Sequence, residues 1–261
     1  MQHELAKSSV NLHDSQSVFS RWTAAGLHLL ISIVIAVLVV LVMVFLWYPI
    51  PYFGALDAVG LLVLVTSVDV VLGPLITLII FNAKKKSLKF DLSCIAAVQM
   101  IALVYGVITM FQARPVYTVF NNDRFDVVVA ADSDARERQK VKDIAFKTLP
   151  LDGPQIVAMD APADVKEIQR ILISGIDSRA FSQYYVAYDS KAKEAAAASK
   201  PFAEWQKAHS ATAEKLKSFL SSKAIDETKV GFLPLYTRNE DMTVVLDRET
   251  GKILAIAPIA P

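Results

Sequence analysis

Three uninterrupted apolar stretches, roughly residues 23–47, 55–81 and 92–111, fill the first part of the chain, and a segment of ordinary polar composition follows them. Each reaches the ~20 residues that a helix needs to cross a hydrocarbon core of about 30 Å. A chain patterned in this way is a polytopic membrane protein with one extramembrane domain, which excludes most soluble-enzyme folds before any motif is sought.

The flanking charges give an orientation. Lys84, Lys85, Lys86 and Lys89 crowd the short link between the second and third stretches, and Lys7 and Arg21 precede the first. Residues 47–57, between the first and second, hold no Lys or Arg. Basic residues stay on the cytoplasmic side of a span. The N-terminal tail and the lysine link are therefore expected in the cytoplasm, and everything after Arg114 on the far side, the periplasm of a bacterium. The lysines are read as topology determinants on the lipid bilayer rather than as a nucleic-acid site, because the net charge is only +1. Trp22, Trp47, Tyr48 and Tyr52 stand at span ends, where amphipathic rings favour the interface. The first stretch follows a polar tail and has no small-x-small site after it, so it is not expected to be a cleaved signal. Pro49 and Pro51 stop its helix.

The resulting fold class is membrane α plus soluble α+β: three transmembrane helices, then a periplasmic α+β domain with N-terminal strands and a C-terminal antiparallel β-meander. The expected boundaries are residues 1–21 for a cytoplasmic tail, 22–113 for the three helices and 114–261 for the domain. Within the domain, residues 116–120 and 125–130 read as strands around an Asn-Asn-Asp-Arg turn. Asp134 and Glu137 predict a capped helix to about Lys147, with Val141, Ile144 and Ala145 inward. Residues 155–159 predict a short buried strand, and Val165, Ile168, Ile171 and Leu172 one face of a helix. Residues 191–199, rich in Ala and Lys, read as a solvated helix or linker. Phe202, Trp205, Leu216, Phe219 and Leu220 recur as a core-facing stripe. Strands at 231–236, 242–246 and 252–257 end the chain, with Gly251 suited to a left-handed turn position.

Chemistry is sparse. The only cysteine, Cys94, lies in the third apolar stretch, so the domain folds without a disulfide. There is no Gly-rich phosphate loop, Gly-x-Ser-x-Gly elbow, His-Glu-x-x-His or Cys-x-x-Cys. His3 and His13 fall in the tail and His28 in a span, which leaves His209 alone in the domain, as a surface residue. Asp132-Ser133-Asp134 lacks the glycine and distant glutamate of a calcium loop and reads as a turn ending in a helix cap. No catalytic set, cofactor or metal is expected, and the chain is read as a non-enzyme.

The polar residues inside the apolar stretches stand apart. Asp69 and Gln99 lie near mid-span, and His28 toward the cytoplasmic end of the first stretch. At ~1.5 Å per residue, Asp69 is about 18 Å deep and Gln99 about 13–14 Å. A carboxylate there costs about 2.5–3.5 kcal/mol, so Asp69 should face protein and be largely protonated, or else paired with Gln99 or Thr66. The three are candidates for an intramembrane polar contact, or else only hold the helices together. Gly73-Pro74 weakens the second helix nearby. Arg114, at the end of the third span, is expected at the periplasmic interface, reaching toward lipid phosphate or toward Asp123 or Asp126; Arg124 is placed at the same interface.

Several separated strings carry a resemblance. They are Val68-Asp69-Val70-Val71-Leu72-Gly73-Pro74, Lys86-Ser87-Leu88-Lys89-Phe90-Asp91, Ala113-Arg114-Pro115-Val116-Tyr117, Phe232-Leu233-Pro234-Leu235 and Leu246-Asp247-Arg248-Glu249-Thr250-Gly251. In this order they resemble the TfpX/TfpZ family of type IV pilin accessory proteins. The resemblance runs from about Arg21 to Pro258 and is loose over residues 185–207. It implies an inner-membrane protein of a pilus-bearing bacterium that supports or modulates type IV pilus assembly, with type IV pilin or assembly proteins as partners and no catalytic residues. The alternative is a membrane-anchored periplasmic ligand-binding sensor, which lacks a cytoplasmic output domain.

Overall fold

The apolar stretches fold as three long helices, Arg21–Trp47, Ala58–Ile80 and Leu88–Ala113, in the computed structural model, which describes residues 20–174 and 178–261. Each is long and apolar enough to cross a bilayer. The tail before Ser20, with His3, Lys7 and His13, lies outside the described residues. Contacts divide the described residues into two units, one of 63–107 with 20–39, the other of 40–62 with 108–261.

In the first unit the second span is the inner helix, 28% of its apolar window being buried against 11% for each of the others. Gly106 lets the third span approach it, since a Cβ there would stand 2.4 Å from Val65 Cγ2. The second span is widened into a π turn at Val68–Leu72, where the Gly73 N–H reaches the Val68 carbonyl. Pro74 explains the turn: it has no N–H for the carbonyl four residues back, and the wider turn absorbs its ring. The end of the first span repeats the device, with a π turn at Met43–Trp47 just before Pro49.

The second unit carries an eight-stranded sheet. Its strands are β1 (Pro115–Asn121), β2 (Arg124–Val129), β3 (Gln155–Met159), β4 (Tyr185–Ala187), β5 (Lys200–Pro201), β6 (Val230–Tyr236), β7 (Met242–Asp247) and β8 (Ile253–Ala257). The order is β4-β3-β1-β2-β6-β7-β8, with β5 beside β6. β1 pairs antiparallel with β2 and parallel with β3; β2 meets β6 in parallel through Phe125 and Asp126 only. β6, β7 and β8 pair antiparallel in succession. The sheet curls, so that Gln155–Val157 of β3 and Ile253 of β8 line one groove. Asn122 (φ 59°) turns the first hairpin and Gly251 (φ 75°) the last. At the last turn Asp247 Oδ1 accepts from the Glu249 and Thr250 amides.

Apolar clusters among the described residues hold the domain, two of them as follows. One joins Val116, Tyr117, Val119, Val128, Val141, Phe146, Val157 and Tyr185. The other seats Trp205, Leu216 and Leu220 of helices Phe202–Ala208 and Ser210–Ser222 on Val230, Phe232, Val245 and Ala257, with Phe202 and Phe219 at its margin, as the stripe predicts. Full burial of a side chain of this size contributes about 1.5–3 kcal/mol.

Several expectations are corrected. The helix capped by Asp134, whose carboxylate accepts from the Arg136 amide at 2.7 Å, ends at Arg138 rather than near Lys147. Val141 and Phe146 both enter the core, and their five-residue separation does not fit one helical face; the chain instead makes a 3-10 turn at Ile144–Phe146, leaving Ile144 83% exposed. The helix Val165–Ile173 presents Val165, Ile168 and Leu172 outward, because its polar face is the one tied to the domain. The Ala-rich segment is not merely solvated. Helix Ala192–Ala198 buries Ala192, Ala195 and Ala196, small enough for Gly251 to lie against the Ala192 carbonyl, where a Cβ would come within 1.9 Å. His209 is half-buried and packs against Trp205, ring centroids 4.4 Å apart and tilted by 44°; burial, with Lys200 nearby, holds its pKa down.

Candidate functional site

The π turn in the second span sets up the polar cluster of the first unit. Asp69 lies inside that turn and is only 8% exposed. It shares a cavity of about 150 Å³ with His28 and Ser32 of the first span and Gln99 of the third. His28 Nδ1 bonds Thr77 Oγ1 at 2.7 Å, one turn from the C-terminal end of the second helix. Gly73 is what allows the close approach: a Cβ there would stand 1.9 Å from Gln99 Nε2 and 3.0 Å from His28 Nε2. The three polar residues singled out in the sequence thus come together, and Ser32 and Thr77 join them. Those two were missed because single hydroxyls in an apolar helix usually bond their own backbone.

The pairing of Asp69 with Gln99 is not formed. Asp69 Oδ1 and Gln99 Nε2 are both buried and both lack a hydrogen-bond partner. An acceptor and a donor left open beside one cavity, away from water, each carry a desolvation cost of about 1–3 kcal/mol. π turns concentrate at functional sites for a related reason, since the widened turn re-aims a side chain.

Lys84, Lys85, Lys86 and Lys89 are all exposed, and Lys85 pairs with Asp91 at 2.5 Å. Cys94 is free and exposed along the third helix.

In the second unit Arg114 turns inward rather than toward solvent or phosphate. It is 3% exposed, stacks on the Phe111 ring at 3.7 Å, and donates to the carbonyls of Phe111 (2.6 Å) and Pro150 (3.4 Å). Burial pulls its pKa down, against the opposing effect of Tyr48. Asp126, 3% exposed, pairs with Arg124 at 3.2 Å and Arg179 at 3.3 Å, so Arg114 is not its partner. Arg124 also lies over the Tyr236 ring at 5.6 Å.

Tyr48 and Tyr52 are likewise not interfacial anchors. Tyr48 is fully buried and donates to the Met110 carbonyl at 2.7 Å; Tyr52 is 5% exposed and bonds Thr118 Oγ1 at 2.7 Å. The Ala55 carbonyl accepts from Thr237 Oγ1 and the Glu240 amide. The segment between the first two spans is therefore part of the domain's core and sheet margin. Elsewhere Glu137, 6% exposed, is held by Lys140 at 2.8 Å and Arg170 at 3.1 Å. Arg170 and Tyr184 both bond Glu167, and these bonds hold its carboxyl down to about 2. Among the described residues no group of three or more His, Cys, Asp or Glu side chains could hold a metal ion.

The model of the family "Fimbrial assembly protein FimB" matches residues 16–56. Two fimbrial assembly proteins of Dichelobacter nodosus, of serogroups I and E1, are 29% and 28% identical over 239 residues, 89% of this chain and 93% of each relative. A third from the same organism, of serogroups C1 and C2, is 36% identical over 110 residues, 41% of this chain and 84% of the relative. No solved structure matches. The similarity to two of them runs through the spans and the α+β domain alike, and the chain belongs to the fimbrial assembly protein family.

Proposed function

We propose that the chain is a non-enzymatic accessory of type IV fimbrial assembly in the bacterial inner membrane. In this reading the N-terminus and the lysine link are cytoplasmic and the α+β domain is periplasmic. It acts by contacting the fimbrial subunit or the assembly machinery, as the resemblance to pilin accessory proteins implies. The observation that carries the reading is the match to fimbrial assembly proteins over 239 residues, which spans the apolar helices and the polar domain together. One feature is in keeping with it: the spans gather their polar residues at one place within the apolar unit.

Deletion of the gene tests it. Surface fimbriae counted by electron microscopy should fall, and return on complementation, with subunit levels followed by immunoblot. Unchanged fimbriation in the deletion strain would refute the reading. A phosphatase reporter fused after Pro261 should be active and one fused at Lys85 inactive; the opposite pattern would refute the orientation.

A further inference from the structure

We infer that the cavity over Asp69 is the receiving site for a membrane helix of another protein, which inserts one hydrogen-bond-donating side chain between the first and third spans. The inference rests on the reading that the three helices lie in a bilayer and that the chain works through partners.

Three observations lead to it. First, the cavity has an unmet need: Asp69 is 92% buried, yet its Oδ1 accepts no hydrogen bond. Gln99 Nε2 is also open, and His28 has its Nδ1 already committed to Thr77. A hydroxyl, amide or ammonium group would supply the missing donor, and the first two would also accept from Gln99.

Second, the position decides what can arrive there. Asp69 stands eleven residues from each end of Ala58–Ile80, about 16 Å at ~1.5 Å per residue, and so at the middle of the bilayer. Lipid headgroups do not reach that depth. The mouth is apolar: Ile31 of the first span and Met100 of the third line the cavity and are 51% and 56% exposed, facing what would be lipid. An occupant therefore comes sideways through hydrocarbon, as a side chain on an apolar helix. At about 150 Å³ the cavity has the room of several waters, enough for the end of a polar side chain.

Third, a second copy of this chain is a poor donor. In a parallel copy every residue keeps its depth. Ser67 already donates to the Leu64 carbonyl on its own helix. The exposed Tyr105 lies six residues beyond Gln99, about 9 Å away along the axis. The spans carry no interior Lys, Arg or Asn, and Gln99 is itself part of the cluster.

The test places a photo-crosslinking residue at Met100 of the full-length chain in native bacterial membranes. A control carries it at Val71, which is 58% exposed and does not line the cavity. The expected result is an adduct from Met100, absent from Val71, whose partner peptide is an apolar helix of another protein containing a donor side chain. Its yield should fall at least about tenfold in Asp69→Leu, the factor that loss of one buried hydrogen bond carries. It should survive in Asp69→Asn, which keeps an acceptor oxygen. If Asp69→Leu lowers the level of the chain, Met100→Trp read from a probe at Ile31 takes its place: the indole fills the mouth without touching the polar cluster, and the adduct should vanish. Adducts with lipid alone or with a second copy alone would overturn the inference, as would a yield insensitive to both variants. Fimbriation scored in the same strains separates the two levels. A deletion strain with normal fimbriae overturns the assembly reading. Lost fimbriae in the deletion strain, together with a silent Met100 probe, overturn only the groove.

Discussion

Substituting Tyr52 by Phe removes one oxygen from a fully enclosed pair. Tyr52 is 5% exposed, its partner Thr118 is fully buried, and the two oxygens stand 2.7 Å apart. With the phenol gone, the Thr118 hydroxyl has neither water nor a partner, and leaving such a group unmet costs about 1–3 kcal/mol. For a unit of this size that lowers Tm by roughly 4–8 °C if the cost is about 2 kcal/mol. Thr118→Val should cost a similar amount, by stranding the phenol. The double variant Tyr52→Phe/Thr118→Val removes both oxygens and keeps both shapes, so its loss should be smaller than the sum of the single losses by about 1 kcal/mol or more. Thermal unfolding of the full chain in detergent, followed by circular dichroism, measures all four corners of the cycle. Burial pushes the Tyr52 hydroxyl up to about 12, above the ~10 of an unfolded tyrosine. The folded state therefore holds its proton longer, and this contribution to stability is whole below pH 10 and lost as pH rises toward 12. Additive single losses, or an unchanged Tm in Tyr52→Phe, would show that the segment between the first two spans is not joined to the sheet in the way described.

Arg114→Lys should lower Tm in the same assay by an amount matching about 1.5–3 kcal/mol, since one ammonium cannot reproduce a ring stack and two carbonyl bonds; wild-type melting would refute this. Gly251→Ala should cost more than about 1 kcal/mol, because φ is 75° and the new methyl meets the Ala192 carbonyl; chevron or melting analysis of an unaffected variant would refute it. The Glu167 carboxyl, held at about 2 by Arg170 and then Tyr184, lies below the ~4.3 of an unfolded glutamate. Its stabilising effect is thus complete above that value and lost as pH falls toward 2. Amide exchange in the helix Val165–Ile173, corrected for intrinsic rates, should be the same at pH 7 and pH 5 and should rise below about pH 4; a rise already at pH 6 would contradict it.

The helices long enough to span, six of the eight strands and the polar trio inside the spans were legible in the pattern of residues; β4 and β5, three and two residues long, are too short for alternation to mark them. Length and hydropathy carry the first, alternation and turn residues the second, and the rarity of Asp, Gln and His in hydrocarbon the third. What escaped was long-range. Val141, Ile144 and Ala145 fit a helical face by spacing, yet the side chain that completes the core is Phe146, chosen by Tyr185 from another strand. Tyr48 and Tyr52 carry the composition of interface anchors, and only the third span and β1 supply the Met110 carbonyl and Thr118 hydroxyl that draw them inside. The same holds for Arg114: a charge at a span end looks like an anchor until its carbonyl partners are known. In the cluster, residue types pointed to Asp69 and Gln99, but the open acceptor and donor depend on a π turn and a glycine contact that no spacing announces.

The burial of Tyr48, Tyr52 and Ala55 in the second unit also bears on how the chain is made. These residues emerge from the ribosome some sixty positions before Met110 and Thr118, and nearly two hundred before Thr237. In the proposed orientation the short link crosses ahead of its partners and waits, while two further helices insert, for a sheet that does not yet exist. Its contacts can close only if the link and the C-terminal domain are delivered to the same side, which requires an even number of crossings between them, here the second and third helices. In the proposed arrangement the finished domain is in this sense a check on its own insertion: a molecule that has failed to insert the second or the third helix strands Tyr52 across the membrane from Thr118, and a proteolytic quality-control system would meet it as an unclosed sheet.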